Sequence, residues 1–291
     1  MRWADLDMLG HVNNVTYVDY LQEARVDMLR IHGSHGHGAS YQQGDLAEGV
    51  VVVRHEVTYL RPLRFNFESV LIECWVTDIR AASFTIAYEI FRESRSRPGE
   101  RTVFARATTV LTPFVFAEER PRRISPEERT RLEQFLEPGE RRPVPRSEPV
   151  PRSEFGHFPV HVRFSDVDVY GHVNNVKYFE YFQEARLLFI TNRLMAEVPE
   201  ELGLPSFVIA QTDVDYKAPI LFRAEPYDCW SRVSRVGSRS FTQEAEIRDG
   251  DTLLARAVVT VVFVDPETGR SAEPPEEYRE PLRAAHAGGV T

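Results

Sequence analysis

The chain has 291 residues, of which 42% are hydrophobic, and a formal net charge of −9; that is enough apolar material for one large or two medium domains with real cores. The acidic balance argues against nucleic acid as the main partner, because phosphate binding needs a net or clustered positive surface. No apolar run approaches the ~18 residues of a membrane span, the first residues show no basic-then-apolar leader, and the two cysteines, Cys74 and Cys229, read as buried thiols of a reduced, cytoplasmic protein.

Taken in order, the chain opens on Asp5-Leu6-Asp7-Met8-Leu9-Gly10-His11-Val12-Asn13-Asn14, and the same word returns as Asp166-Val167-Asp168-Val169-Tyr170-Gly171-His172-Val173-Asn174-Asn175. Aligned without a gap, Arg2–Arg25 and Arg163–Arg186 are identical at 15 of 24 positions, so the chain is an internal duplication. After each motif, apolar residues fall at helical spacing. In the first copy they are Tyr17, Leu21, Ala24, Met28 and Ile31, widened by Val18, Tyr20, Val26 and Leu29; in the second, Tyr178, Phe182, Ala185 and Phe189. Asn14 and Asn175 are placed to cap these helices, and the Gly33–Gly38 region to end the first.

Segments rich in β-branched and aromatic residues follow and predict strands near 50–60, 67–77, 83–92 and 102–114, then 207–216, 225–236, 240–248 and 252–264. Asp249-Gly250 signals a short hairpin where the first half has the longer Ser94–Arg101 loop. The offset between the halves drifts from 161 at the motif to 157 at Tyr59/Tyr216, 155 at Cys74/Cys229 and 150 at Ala105/Ala255, so gaps fall between elements. Each half closes on a polar helix after a proline, 125–136 and 275–282. Five prolines among charges make 137–153 a stiff, extended linker. Residues 158–164 predict a leading strand that the first half lacks. The expected division is a first domain over 1–136, a linker over 137–155 and a second domain over 156–291.

The order Arg-x-x-Asp-x-Asp-x-x-Gly-His-Val-Asn-Asn-x-x-Tyr, followed by helix and sheet, resembles the hotdog-fold acyl-CoA thioesterases of the 4-hydroxybenzoyl-CoA thioesterase type. Its His-Val-Asn-Asn segment is similar to that of plant-type acyl-carrier-protein thioesterases. The resemblance implies an α+β fold of two tandem hotdog domains, each a curved antiparallel sheet wrapped around a central helix, packed as an intramolecular pseudo-dimer; a higher homo-oligomer stays open. It implies hydrolysis of an acyl-CoA to a carboxylic acid and free CoA with no cofactor or metal, acyl carrier protein being the alternative carrier. A hotdog hydratase and a non-catalytic acyl-CoA-binding or regulatory module are further readings; the Asp-x-Asp placement counts against the first, and no helix-turn-helix is visible to favour a regulator.

The residues support this chemistry. A thioester hydrolase needs a carboxylate as general base or nucleophile and donors for the developing oxyanion, and one stretch offers both: an aspartate on a glycine turn, then a helix N-terminus with unpaired amides and a positive dipole end. By the resemblance, Asp7 and Asp168 are the base or nucleophile, and the amides around Asn14 and Asn175 hold the carbonyl. His11 and His172 match the histidine of the plant-type motif, catalytic or orienting; bracing the loop by hydrogen bonding is the alternative. Leu9 and Tyr170 stand where that family has asparagine. Asp5 and Asp166 read as structural, satisfying loop amides. Tyr17 and Tyr178, like Tyr20 and Tyr181, read as core or as pocket wall against the substrate. Related thioesterases often carry an acidic residue just before the matching tyrosine, which Asp215 supplies and Thr58 does not. Arg61, Arg64, Lys217 and Arg223 are either contacts for CoA phosphates or a solvated basic edge.

Overall fold

A computed structural model describes residues 1–8, 10–32, 48–66, 68–97, 99–139, 148–196, 198–203 and 205–288. It divides into two compact units, Met1–Val144 and Pro145–Thr291.

In the first unit, α1 (Asn14–His32) is followed by β1 (Glu48–Tyr59), β2 (Leu71–Ile79), β3 (Phe84–Glu93), β4 (Arg101–Val115), the two-residue β5 (Arg120–Pro121) and α2 (Pro126–Glu133). The strands pair antiparallel in the order β2-β3-β4-β1, with β5 on the end of β4. Val18 and Leu21 of α1 are buried with Val57, Val76, Ile86, Ile90 and Leu111 of the sheet, which is the apolar burial that holds a helix on a sheet. Val26, expected to widen the buried face, is exposed instead. The expected helix end at Gly33–Gly38 and the first residue of the expected second strand, Phe67, lie outside the described residues.

The second unit begins with β6 (His157–Val160), followed by α3 (Asn175–Phe189), β7 (Phe207–Tyr216), β8 (Tyr227–Val236), β9 (Ser240–Asp249), β10 (Thr252–Phe263) and α4 (Glu276–His286). The sheet order is β6-β8-β9-β10-β7, all antiparallel. Tyr178, Phe182, Ala185 and Phe189 are all buried, as the helical spacing predicts. Asp249 pairs with Thr252 across a two-residue turn in which Gly250 takes φ +54°, which suits the left-handed region glycine tolerates. No sequence signal announces the π-helical turn Ile190–Leu194 that continues α3. The leading strand is present as β6, which covers the Tyr227–Trp230 edge of β8. In the first unit the described cover on the equivalent strand is different: Val76 donates to Phe135 O and accepts from Glu137 N–H.

The hairpins correct one expected register. β2–β3 shifts between Val76 and Asp78 with Val76 opposite Ile86, and β8–β9 shifts between Val233 and Arg235 with Val233 opposite Gln243. Both pairs are related by an offset of 157 (233 − 76 = 243 − 86). The counterpart of Cys74 is therefore Ser231, not Cys229. A two-residue slip keeps every side chain on the same face of a strand, so Cys74-Trp75 and Cys229-Trp230 match in sequence without matching in space. Both thiols are free, Cys229 buried and Cys74 only half-buried.

Residues 140–147 of the expected linker lie outside the described residues, but both flanks are anchored. Glu137 N–H bonds Val76 O. On the other side Glu148 O accepts from Arg232 and Arg256, and Val150 is buried. These two arginines also hold the carboxylates of Glu244 and the fully buried Glu246. Such a buried carboxylate is tolerable only because it is paired, and Arg248 adds a second contact to it at 2.6 Å.

Candidate active site

Each repeated motif folds as a tight turn feeding a helix. Asp7 N–H donates to His11 O (2.8 Å) and Gly10 N–H to Asp7 O (3.0 Å); the second copy has Asp168 N–H on His172 O (2.9 Å) and Gly171 N–H on Asp168 O (3.0 Å). Gly10 and Gly171 take φ of +73° and +80°, the conformation that costs a side-chain-bearing residue roughly 1–2 kcal/mol. Leu6 bridges Val12, and Val167 bridges Val173, closing the turn.

The next step corrects the cap. Asn13 Oδ1 accepts from Val15 N–H and Asn174 Oδ1 from Val176 N–H, both at 2.9 Å. The helices then start at Asn14 and Asn175 themselves. In an Asn-Asn pair the first residue is still extended, so its side chain can reach back over the first turn. The flanking amides are thus partly consumed, since Asn13 N–H donates to Asp5 O and Asn174 N–H to Asp166 O. The helix carbonyls of Asn14 and Asn175 accept from Tyr59 Oη (3.0 Å) and Tyr216 Oη (2.8 Å). These two tyrosines are anchors that the helix-and-turn reading missed, although their matching positions in the two copies were a signal.

Asp5 and Asp166 are 2% and 1% exposed, as a structural role predicts. Asp166 accepts from Arg163 N–H (2.9 Å), Arg163 Nε (3.1 Å) and Tyr181 Oη (2.7 Å), and Asp5 has the same partners in Arg2 and Tyr20. Burial alone would push both carboxyls up, but these bonds outweigh it and hold both below the usual aspartate value.

Asp7 and Asp168 sit half-buried on the turns. Asp7 Oδ1 accepts from His11 N–H at 3.3 Å, and Asp168 Oδ1 from Tyr170 N–H at 2.9 Å. Burial pushes the Asp168 carboxyl above the usual value, against the amides and the electrostatic pull of His172. The two histidines differ in their neighbours. Arg64, which bridges His11, lies close enough for its Nε to donate to His11 Nε2 at 3.3 Å. With Leu63 O and Ile220 O accepting equivalent bonds from Val12 and Val173 N–H, the position of Arg64 is taken by Leu221 in the second unit.

Tyr17 and Tyr178 are 2% and 3% exposed. Their hydroxyls accept from Leu63 N–H (3.0 Å) and Ile220 N–H (2.9 Å), and burial drives both pKa values up, that of Tyr17 to about 12. They pin the strand-end loop beside the turn rather than present a free hydroxyl. Tyr178→Phe is expected to lower unfolding free energy by about 1–3 kcal/mol by orphaning a buried amide, read as a shift of the denaturant midpoint; an unchanged midpoint would show that the bond contributes nothing.

Asp215 does not join the turn of its own unit. Tyr216 reaches α3, and successive strand residues point to opposite faces, so Asp215 faces away; its carboxylate lies 3.5 Å from Lys217 Nζ. Arg223 is occupied by Asp249 at 3.0 Å and stacks over Tyr227. Aromatics flank each turn, the exposed Trp3 edge-on to the half-buried Phe65 and the exposed Phe164 edge-on to the exposed Phe222, with centroids 6.0 Å apart in both pairs. Among the described residues no three His, Cys, Asp or Glu side chains come together as a metal-binding group, and no helix is long and apolar enough to cross a membrane.

A profile of the thioesterase-like superfamily matches residues 1–136 and again 162–282. The chain belongs to that superfamily. It is a double-hotdog thioester hydrolase that acts on acyl thioesters. YsmA of Bacillus subtilis, a protein of uncharacterised role, is 32% identical over 138 residues, covering 45% of this chain and 88% of YsmA. The long-chain acyl-CoA thioesterase FadM of Escherichia coli is 26% identical over 125 residues, 42% of this chain and 93% of FadM. Two solved structures share the fold over nearly the whole length. One, described as an oleoyl thioesterase from Lactobacillus plantarum, has a TM-score of 0.70 at 18% identity, covering 91% of this chain and 94% of the other. The other, a 12:0-ACP thioesterase from Umbellularia californica, has a TM-score of 0.69 at 16% identity, covering 90% and 91%.

Proposed function

We propose that the protein hydrolyses acyl-CoA, with Asp168 as general base or nucleophile and the N-terminus of α3 as the oxyanion site, and with Asp7 and α1 forming a second, non-equivalent copy. The observation that carries this reading is the half-buried Asp168 carboxylate, held above the ordinary aspartate pKa on the turn that leads into the helix. A base or nucleophile gains proton affinity from such desolvation. As general base, Asp168 takes a proton from a water whose oxygen adds to the thioester carbonyl, and the C–S bond then breaks with that proton passing to the sulfur so that CoA leaves as the thiol. As nucleophile, it adds to the carbonyl itself, the C–S bond breaks, the CoA thiolate is protonated by solvent, and water then hydrolyses the acyl–Asp168 anhydride to the free acid and the restored carboxylate. His172 sits where its charge acts on that carboxylate, and His11 has the same place beside Asp7.

Acyl-CoA is favoured over acyl carrier protein by the likeness to FadM, whose named substrate is a long-chain acyl-CoA. The test is thiol release from the same acyl groups carried by CoA and by acyl carrier protein. Higher kcat/KM on the CoA series supports the reading, and preference for the carrier protein overturns it. The pH profile gives a second check. A base must be deprotonated, so kcat/KM should fall as pH drops through its pKa, with the acid limb above the ordinary aspartate value of about 3.9.

A further inference from the structure

Beneath α1 the first unit buries a chain of polar groups that the turn chemistry does not use. Arg25 is 5% exposed, Tyr88 1%, and His55 and Thr109 are fully buried. Thr109 Oγ1 lies 2.9 Å from His55 Nδ1. Tyr88 lies against Thr109 and Arg25, and Arg25 also acts on Cys74. Tyr88 Oη is shared between Thr109 and Arg25 without a well-aligned hydrogen bond, and Arg25 Nη1 has no partner. Among the described residues no carboxylate forms an ion pair with Arg25. A guanidinium stays charged at any ordinary pH, and burying it without an anion is costly. This arrangement calls for an oxygen-bearing guest.

The second unit keeps the arginine, as Arg186, but not its surroundings. By the strand registers, Thr212 replaces His55, Ser231 replaces Cys74, Ala245 replaces Tyr88 and Val259 replaces Thr109. Ser231 Oγ and Gln243 Oε1 are left without partners there, so buried polar groups are common to both copies, and what is particular to the first is the Tyr88 hydroxyl beside the arginine and the His55–Thr109 pair.

Position says what the guest is. Arg25 lies on the helix whose N-terminus carries the Asp7 turn, eleven positions beyond Asn14, or roughly 16 Å along the axis. A linear acyl group held by its thioester at that N-terminus and laid along the helix brings its far end to Arg25. We propose that the first unit takes an acyl chain whose distal end carries a carboxylate, read by the Arg25 guanidinium and the Tyr88 hydroxyl. The fork of an arginine fits a carboxylate through two parallel N–H bonds, and Tyr88 supplies a further donor. This inference rests on the acyl-thioester reading above and names a substrate class for one of its two sites.

The test uses the full chain and two independent readouts. The first is the ratio of kcat/KM for dodecanedioyl-CoA over dodecanoyl-CoA, expected to drop at least tenfold in Arg25→Met and severalfold in Tyr88→Phe. The second is calorimetric binding of the free products, with dodecanedioate expected to bind at least tenfold more tightly than dodecanoate and to lose that margin in Tyr88→Phe. Should Arg25→Met fail to fold, Tyr88→Phe carries both readouts. Equal affinities with an unchanged ratio would overturn the proposal and leave Arg25 a hydrated structural arginine. Succinate or chloride binding as tightly as dodecanedioate would overturn it too, since that describes an isolated anion site. Absence of hydrolysis of any acyl-CoA would instead sink the proposed function, which the product-binding arm does not depend on.

Discussion

Replacing Asp168 and Asp7 together by asparagine is expected to lower thiol release from acyl-CoA by roughly 10²–10⁴-fold, the usual worth of a positioned general base. Asparagine keeps a carbonyl oxygen to accept the Tyr170 and His11 amides that the two carboxylates now take, so the turn keeps its shape while the base is lost. The single variants should differ. Asp168 is the carboxylate that burial pushes up, and the first turn instead has Arg64 on its histidine, at 3.3 Å from His11 Nε2. Asp168→Asn should therefore remove most of the activity and Asp7→Asn the smaller share. Steady-state kinetics on one acyl-CoA decides this; a double variant with wild-type kcat/KM would show that neither aspartate takes part in the reaction.

Asp166→Ala is expected to cost about 3 kcal/mol of stability. Its carboxylate is 1% exposed and accepts from the Arg163 amide, the Arg163 guanidinium and the Tyr181 hydroxyl. Hydrogen bonds to a charged group contribute about 1.5–3 kcal/mol each, and an orphaned buried hydroxyl adds its desolvation cost. Arg163 is itself 61% exposed, which discounts its share through solvent screening. The same carboxyl gives a pH signature. Its folded pKa lies below the unfolded one of about 3.9, so its contribution is complete above that value and is lost as pH falls through the folded pKa. The acid limb of wild-type unfolding should be partly flattened in Asp166→Ala. Chemical denaturation at neutral and acid pH measures both effects, and equal stability of the variant and the wild type at neutral pH would refute the role.

The roles of paired residues that are adjacent or nearly so in sequence were the hardest to read. Asn13 and Asn14 are chemically identical, and which of them caps depends on where the backbone leaves the extended conformation. Asp5 and Asp7 are both carboxylates on a loop. Only the tyrosine returning from fifteen positions along the helix, Tyr20 or Tyr181, makes the first of each pair structural. The strands were legible because alternation of β-branched residues is local, and β7 spans Phe207–Tyr216 as the sequence predicts. The register of the Cys74 hairpin was not, because sliding by two residues preserves the alternation and only the bulge at Val76 and Val233 fixes the match.

By itself, then, the sequence determined the duplication, the helix-and-sheet content, the glycine turn and the placing of an aspartate and a histidine ahead of each helix, all of which depend on residues near one another in the chain. Only the tertiary structure decided which polar groups are already spent. Tyr17 and Tyr178 give their hydroxyls to the amides of Leu63 and Ile220, Asp215 faces away from the turn of its own unit, Asp168 is desolvated enough to shift upward, and Arg25 is buried beside Tyr88 with its Nη1 left without a partner. For these tyrosines the partner lies more than 40 positions away, Leu63 for Tyr17 and Ile220 for Tyr178. The two near-identical motifs already differed in their sequence surroundings, with Thr58 where the second half has Asp215, which favoured Asp168 over Asp7; the desolvation of Asp168 came only with the fold.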